Sequence, residues 1–378
     1  MKRISQIRRD FTQALLLMIL EKYMTIPIEY ICFLGNNGFG FAARNYILAL
    51  HSSGKFDVKI THLDLPISKG ITEEHYSLFK SLCEKKDNPD AIQIYHCIPD
   101  LFRRVKRKAK ALAFATFEAQ PAPSNWFTLL EHFNGIIFPS QFCYDLFEDL
   151  KRPKMVIPHC LDLDKYKKVG EKYKNGNLFL FLFCGAWKKR KGFETLISAW
   201  NEEKLYEQNC HLLIKTGSSG KIPLASSLGE KIYVDTVVFK DEDLPNFFAR
   251  QNCLIQPTLG EAFGLSGLQS LACGVPIITT NFSGVQEYAT PATSYLLEPE
   301  GFLTTKSPMD NYFQFSGCSW PYISVETLRK SMRYIFEHYT EATEKAEKAQ
   351  DGLSRKFGYE TTAASFESLI SQVYGIVY

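Results

Sequence analysis

Short apolar runs alternate with amphipathic stretches along nearly the whole chain. Ile28–Leu34, Val58–Leu65, Ala91–Tyr95, Leu112–Phe117, Gly135–Phe138 and Met155–Ile157 are compact apolar segments bounded by turn residues. Such runs predict strands covered on both faces, as in a parallel sheet. Between them, helices are expected at Ala42–His51, from Ser124 to about Phe133, and over Gln141–Leu150 capped by Ser140. The pattern repeats in the second half. Strands are expected at Leu178–Cys184, Leu212–Lys215, Ile232–Val234, Leu254–Gln256 and Val275–Thr279. Helices are expected at Phe193–Trp200, Asp243–Arg250 and Gly264–Cys273. Gly301–Pro321 is aromatic-rich and predicts an irregular excursion. Val325–Ser354 and Thr361–Val377 predict closing helices.

This alternation predicts an α/β protein, and 378 residues suit two domains. Lys167–Asn177, polar and carrying Gly170 and Gly176, is the expected linker. The expected division is an extension at 1–23, domains at 24–168 and 177–358, and a last helix at 359–378. Phe11–Leu20 is too short to span a bilayer, and no small-residue cleavage site follows it. Residues 1–23 are therefore expected to form an appended helix or to lie upstream of a start at Met24. A net charge of +3 gives no argument for nucleic acid. The ten cysteines form no C-x-x-C pair and fall in apolar elements, which fits reduced thiols in the cytoplasm. The eight histidines show no ligand spacing, so no structural metal is expected.

The stretch Leu254–Thr279 reads as strand, loop, helix, strand. Its helix N-terminus would face the carboxyl edge of a sheet, where free N–H groups suit a phosphate. Glu261 and Gln269 are about two helical turns apart. With Pro257, Glu261–Ala262–Phe263–Gly264–Leu265 and Leu271–Ala272–Cys273–Gly274–Val275–Pro276, this stretch resembles the E-x7-E motif of family 4 retaining glycosyltransferases. Ala262 replaces a Gly and Gln269 replaces the second Glu. Trp187–Arg190–Lys191–Gly192 resembles the W-x-x-R-K-G branch of that family, with Ala186 replacing an Arg of the general pattern. Pro158, His159, Asp162 and Tyr166 fit its P-H-G-V-D-aromatic segment, and Ser283–Gly284 with Glu287 fit a later loop.

The resemblance implies a GT-B fold: two Rossmann-like domains facing a cleft, with a C-terminal helix crossing back. It implies a metal-independent enzyme that moves sugar from a UDP-, GDP- or ADP-linked donor to a glycan, lipid-linked or protein acceptor. No cofactor beyond that substrate is expected. Arg190 and Lys191 would neutralise the leaving diphosphate, joined by the helix tip at Phe263, Gly264 and Leu265. Glu261 would contact the donor sugar. Gln269 would meet the ribose with one neutral acceptor where the family has a carboxylate. Glu118 stands where the family often carries His, as a base toward an acceptor hydroxyl or a stabiliser of an oxocarbenium-like state. His96 is the fallback for that place. Gly38 and Gly40, in the loop after the first strand, would approach the donor phosphates or the acceptor, and donor contact is the expectation for them.

Three further patterns leave alternatives open. The first glycine loop also suits a dinucleotide, with Asp57 or Asp64 as the acidic residue. Leu101, Val105 and Ala109 recur every four residues among basic residues, predicting an amphipathic helix. Arg103, Arg104, Arg107 and Lys108 would then face an anionic membrane surface, a phosphorylated acceptor or solvent. Asp162–Leu163–Asp164 has the D-x-D form of metal-dependent transferases, but falls where a GT-B enzyme needs none. Ala186, Gln269 and Glu118 also fit a non-catalytic relative that binds nucleotide sugar or glycan and scaffolds a partner.

Overall fold

The computed structural model describes residues 25–64, 70–167, 178–217 and 222–376. The expected extension and the linker residues 168–177 lie outside the described residues.

The first sheet holds six parallel strands: β1 (Ile26–Cys32), β2 (Phe56–His62), β3 (Ile92–His96), β4 (Ala111–Phe114), β5 (Gly135–Phe138) and β6 (Lys154–Val156). Their spatial order is β2-β1-β3-β4-β5-β6. The second sheet repeats the plan with β7 (Phe179–Cys184), β8 (Cys210–Lys215), β9 (Ile232–Asp235), β10 (Cys253–Gln256), β11 (Ile277–Thr280) and β12 (Tyr295–Leu297). Its order is β12-β11-β10-β7-β8-β9. Chain direction across the sheet reverses between β1 and β3, and again between β7 and β10. Loops leaving strands at such reversals diverge and open a crevice.

The last helix, Tyr359–Tyr374, buries Phe366, Leu369 and Ile370 in the first domain's core, beside Tyr46 and Leu50. It crosses back as expected. Gly375 ends it at φ 66°, in the left-handed region.

Several local expectations fail. The Gly38–Ser52 helix starts before Ala42, because the Asn37 side chain caps it through Gly40 N at 2.9 Å. The helix near Ser124 spans only Ser124–Leu130, and Pro123 rather than Ser124 occupies its cap position. Residues 101–110 are not an amphipathic helix. A 3-10 turn at Pro99–Arg104 is followed by extended chain, whose backbone satisfies buried polar groups of β3. The Gln93 amide accepts from Lys108 N at 2.6 Å and donates to Lys106 O at 3.2 Å, and Tyr95 Oη donates to Val105 O at 3.1 Å. Lys108 then pairs with Glu29 at 2.7 Å, and Arg107 donates to His132 O. The excursion after Leu297 contains an antiparallel hairpin, β13 (Gly301–Thr304) and β14 (Ser319–Tyr322), which bridges to Gln120 of the first domain.

Candidate functional site

Loops after β1, β4, β7 and β10 meet in the cleft. After β7, Trp187 stacks on Phe193 at 4.2 Å and Lys189–Lys191 makes one 3-10 turn. The Arg190 carbonyl accepts from Leu259 N at 2.8 Å, which ties this turn to the loop after β10. The tie sets two cations against one carboxylate. Lys191 Nζ donates to Glu261 Oε1 at 2.5 Å, and Arg190 Nη1 lies 3.6 Å from Glu261 Oε2. Arg190 Nη1 also donates to Gly260 O at 2.5 Å, and Nη2 lies 3.3 Å from Glu118 Oε1 of the first domain. A Cβ on Gly260 would collide with the Glu118 carbonyl oxygen, so the absence of a side chain there lets the domains approach.

Glu261 is only 6% exposed. Burial opposes its charge, but Lys191 and Arg190 outweigh burial and lower its pKa below the ordinary carboxylate value. For Arg190, burial works against the charge, and Glu118, Glu261 and Asp310 together raise its pKa further. Ser283 Oγ accepts from Glu261 N at 2.9 Å, and Gly284 N donates to Glu261 O at 2.9 Å. The Ser283–Gly284 segment thus braces the Glu261 loop from behind instead of lining the cavity.

Gly264 adopts φ 87°, a conformation that favours glycine, and a Cβ would sit 2.7 Å from the Tyr288 hydroxyl. It turns the chain so that the Leu265–Ala272 helix points its N-terminus into the cleft. The result is a cavity of about 400 Å³ whose walls include Gly38, Glu118, Arg190, Lys191, Glu261, Phe263, Gly264 and Leu265. These expected site residues, far apart in sequence, are brought together.

Two expected residues lie elsewhere. Gln269 lines an adjoining cavity of about 290 Å³ with Asn36, Lys215, Phe239 and Asp241, and its amide donates to Tyr166 Oη at 2.8 Å. Gly38, Cys184, Gly185 and Leu265 line both cavities. Gly40 lines neither. It is packed on Gly35, and its N–H is used by the Asn37 cap. Asp64 does not face an open ribose site, because its carboxylate accepts from Leu34 N at 3.0 Å and Gly35 N at 2.7 Å, holding the glycine loop. Asp162 and Asp164 line a separate groove beside Tyr359, and Asp162 pairs with Lys165 at 3.2 Å.

Residues without a distinctive sequence signal complete the site. Lys215 ends β8 and lines the adjoining cavity. Arg44 forks onto Asp241 across the domains, with Nε to Oδ2 and Nη2 to Oδ1 both at 2.8 Å. A lone Arg in a helix and a lone Asp in a loop give no hint of each other.

Over most of its length the chain superposes on sucrose-phosphate synthase from Thermosynechococcus elongatus. The TM-score is 0.68, at 17% identity, covering 93% of this chain and 99% of that one. It also superposes on Anabaena HepE solved with UDP and glucose, with TM-score 0.63, 13% identity, and coverage of 91% and 99%. The fold is GT-B. Within this GT-B chain, residues 164–307 match the family model described as "Glycosyl transferases group 1". That span contains Arg190, Lys191, Glu261, Gly264 and Gln269. An uncharacterised 41.2 kDa protein of the Klebsiella pneumoniae cps region is 27% identical over 129 residues, 33% of this chain and 34% of that protein. The O-antigen chain mannosyltransferase B of Escherichia coli is 27% identical over 114 residues, 28% and 29% of the two chains. The matched stretches span about a third of these relatives' own length.

Proposed function

We propose that the chain is a family 4 glycosyltransferase that moves a sugar, with retention, from a nucleotide-sugar donor to a hydroxyl of a glycan, lipid-linked or protein acceptor. One observation carries this: Arg190, Lys191 and the helix tip at Gly264 converge on a single cavity. A departing diphosphate needs fixed cations and N–H donors, and these supply them without a metal. The adjoining cavity, with Gln269 and Phe239, takes the nucleoside, and the shared wall at Gly38, Gly185 and Leu265 takes the phosphates. Glu261 remains a carboxylate and accepts from sugar hydroxyls. Glu118 faces the acceptor as base or charge stabiliser. Among the described residues the carboxylates lining this cavity are Glu118 and Glu261, neither of them assigned as a nucleophile, so attack on the donor's front face accounts for retention.

The chain acts in the cytoplasm. Arg103 and Arg104 are exposed and provide the contact with an anionic membrane surface, whereas Arg107 and Lys108 are engaged within the first domain. Among the described residues no helix is long and apolar enough to cross a membrane.

A second reading, a non-catalytic sugar-nucleotide binder, is favoured by the Glu118–Arg190 pair, which occupies the carboxylate expected to act on the acceptor. Thermal-shift measurements with UDP, GDP, ADP and NAD, followed by hydrolysis and transfer assays on the matching nucleotide sugars, test both. A specific nucleotide at a hundredfold excess over its Kd stabilises by about 2.7 kcal/mol. Turnover removes the binder. Stabilisation by NAD alone removes the transferase.

A further inference from the structure

His96 closes β3 at the first sheet's reversal point and lines the cleft cavity. Its ring is fixed on both sides. It stacks on Phe114 at 4.3 Å and 24°, and meets Tyr46 edge-on at 5.5 Å. Nδ1 shares a 2.9 Å hydrogen bond with the Tyr30 hydroxyl, inside the core. Nε2, on the ring edge away from Tyr30, is buried and has no partner. A buried polar atom left unpaired is an expensive state, and native proteins explain nearly every case. Eight such side-chain atoms occur among the described residues. Three of them, His96 Nε2, Arg190 Nε and Gln256 Oε1, belong to walls of this one cavity. Unmet hydrogen-bonding capacity is concentrated where a ligand would be seated.

We propose that His96 is a sugar-binding residue, its Nε2 hydrogen-bonding a ring hydroxyl of the sugar being transferred. This rests on the donor assignment above. The surroundings select a sugar hydroxyl over a phosphate. Anionic oxygens are met by Arg190, Lys191 and the helix tip. Around His96 stand aromatic rings and a second imidazole, with Phe39 at 6.1 Å and His159 at 6.2 Å between centroids, and Phe263 at 4.9 Å from His159. Apolar rings beside fixed polar edges suit a molecule with C–H faces and hydroxyl rims.

His159 has a definite tautomer. The Tyr46 hydroxyl gives its only proton to Ile157 O at 2.7 Å, so His159 Nδ1–H donates to Tyr46 Oη at 3.0 Å. His159 Nε2 is left as an acceptor. Burial lowers the pKa of His96 well below the usual histidine value and takes His159 to about 3. Both rings are uncharged at neutral pH, so neither opposes positive charge growing at the anomeric carbon.

The test compares binding with and without the sugar. UDP and UDP-glucose, and GDP and GDP-mannose, are titrated by calorimetry into the wild-type chain, His96→Phe, and Tyr30→Phe/His96→Phe. The double variant removes both partners of the inner hydrogen bond, so neither is left unpaired if the single variant fails to fold. The expected result is nucleoside diphosphate affinity within twofold of wild type, with affinity for the sugar-bearing form reduced tenfold or more. An unchanged ratio between the two ligands would overturn the assignment while leaving the donor site intact. Failure of the wild-type chain to bind any of the four, or ADP and ADP-glucose titrated alongside them, would remove the donor assignment, and this one with it.

Discussion

Arg190 of the second domain lies 3.3 Å, Nη2 to Oε1, from Glu118 of the first. The pair joins the cation assigned to the leaving group with the carboxylate assigned to the acceptor. Glu118→Gln should therefore separate binding from chemistry. Nucleoside diphosphate affinity is expected to hold or rise, because one competitor for Arg190 loses its charge. The kcat is expected to fall by about 10²-fold or more, the scale of a lost general base. Calorimetry and initial rates on one preparation check this, and an unaltered kcat rules out the role.

Lys191 and Glu261 form a close, largely buried pair. Breaking such a pair from one side costs about 3–5 kcal/mol, because a charge is left uncompensated. Arg190 remains beside Glu261, so Lys191→Ala should fall at the low end of that range in urea unfolding. Lys191→Met/Glu261→Gln should recover most of the lost stability but not diphosphate binding. Additive stability losses would argue against the coupling.

Arg44 holds Asp241 of the opposite domain and also donates from Nη1 to Leu34 O at 2.8 Å and Gly35 O at 2.9 Å. Lysine lacks that fork. Arg44→Lys should thus behave nearly like Arg44→Ala, with a loss of about 3 kcal/mol or more. A urea midpoint for Arg44→Lys close to wild type would contradict this.

Gln269 stands in the adjoining cavity where the resemblance expects a carboxylate. Charge-assisted hydrogen bonds are about twice as strong as neutral ones. Gln269→Glu should tighten nucleotide binding by about tenfold, roughly 1.4 kcal/mol. Equal Kd values for the two forms would show that the ribose is held elsewhere.

Acid should destabilise the protein earlier than its carboxylates alone would. His159 has a folded-state pKa near 3 against an ordinary 6.5, and burial is the cause. As pH falls below about 6.5 the unfolded chain takes up a proton that the folded one refuses, so stability declines toward pH 3. Each such imidazole contributes a slope of at most about 1.4 kcal/mol per pH unit. Glu261, whose pKa is lowered from 4.5, adds a loss that begins only near that value. Urea midpoints between pH 7.5 and 5 should fall for wild type and fall less for His159→Gln. Equal slopes would place His159 in solvent.

The chain's own periodicity determined the two parallel sheets, because buried strands are written as short β-branched and aromatic runs. The order of residue types around Arg190 and Glu261 likewise pointed to two of the loops that line the cleft cavity, since a loop at a strand's carboxyl end lies beside the helix it feeds. Local spacing could not show that polar side chains of β3 capture the backbone after Pro99, so the helix expected at 101–110 gives way to extended chain. Nor could it show that Asp64 is used up by the glycine loop. Only the packed molecule decided the Glu118–Arg190 contact, the Arg44–Asp241 fork and the unpaired edge of His96. The first two join positions many residues apart across two domains, and the third depends on how β1, β3 and β4 pack within the first domain, none of which a single segment encodes.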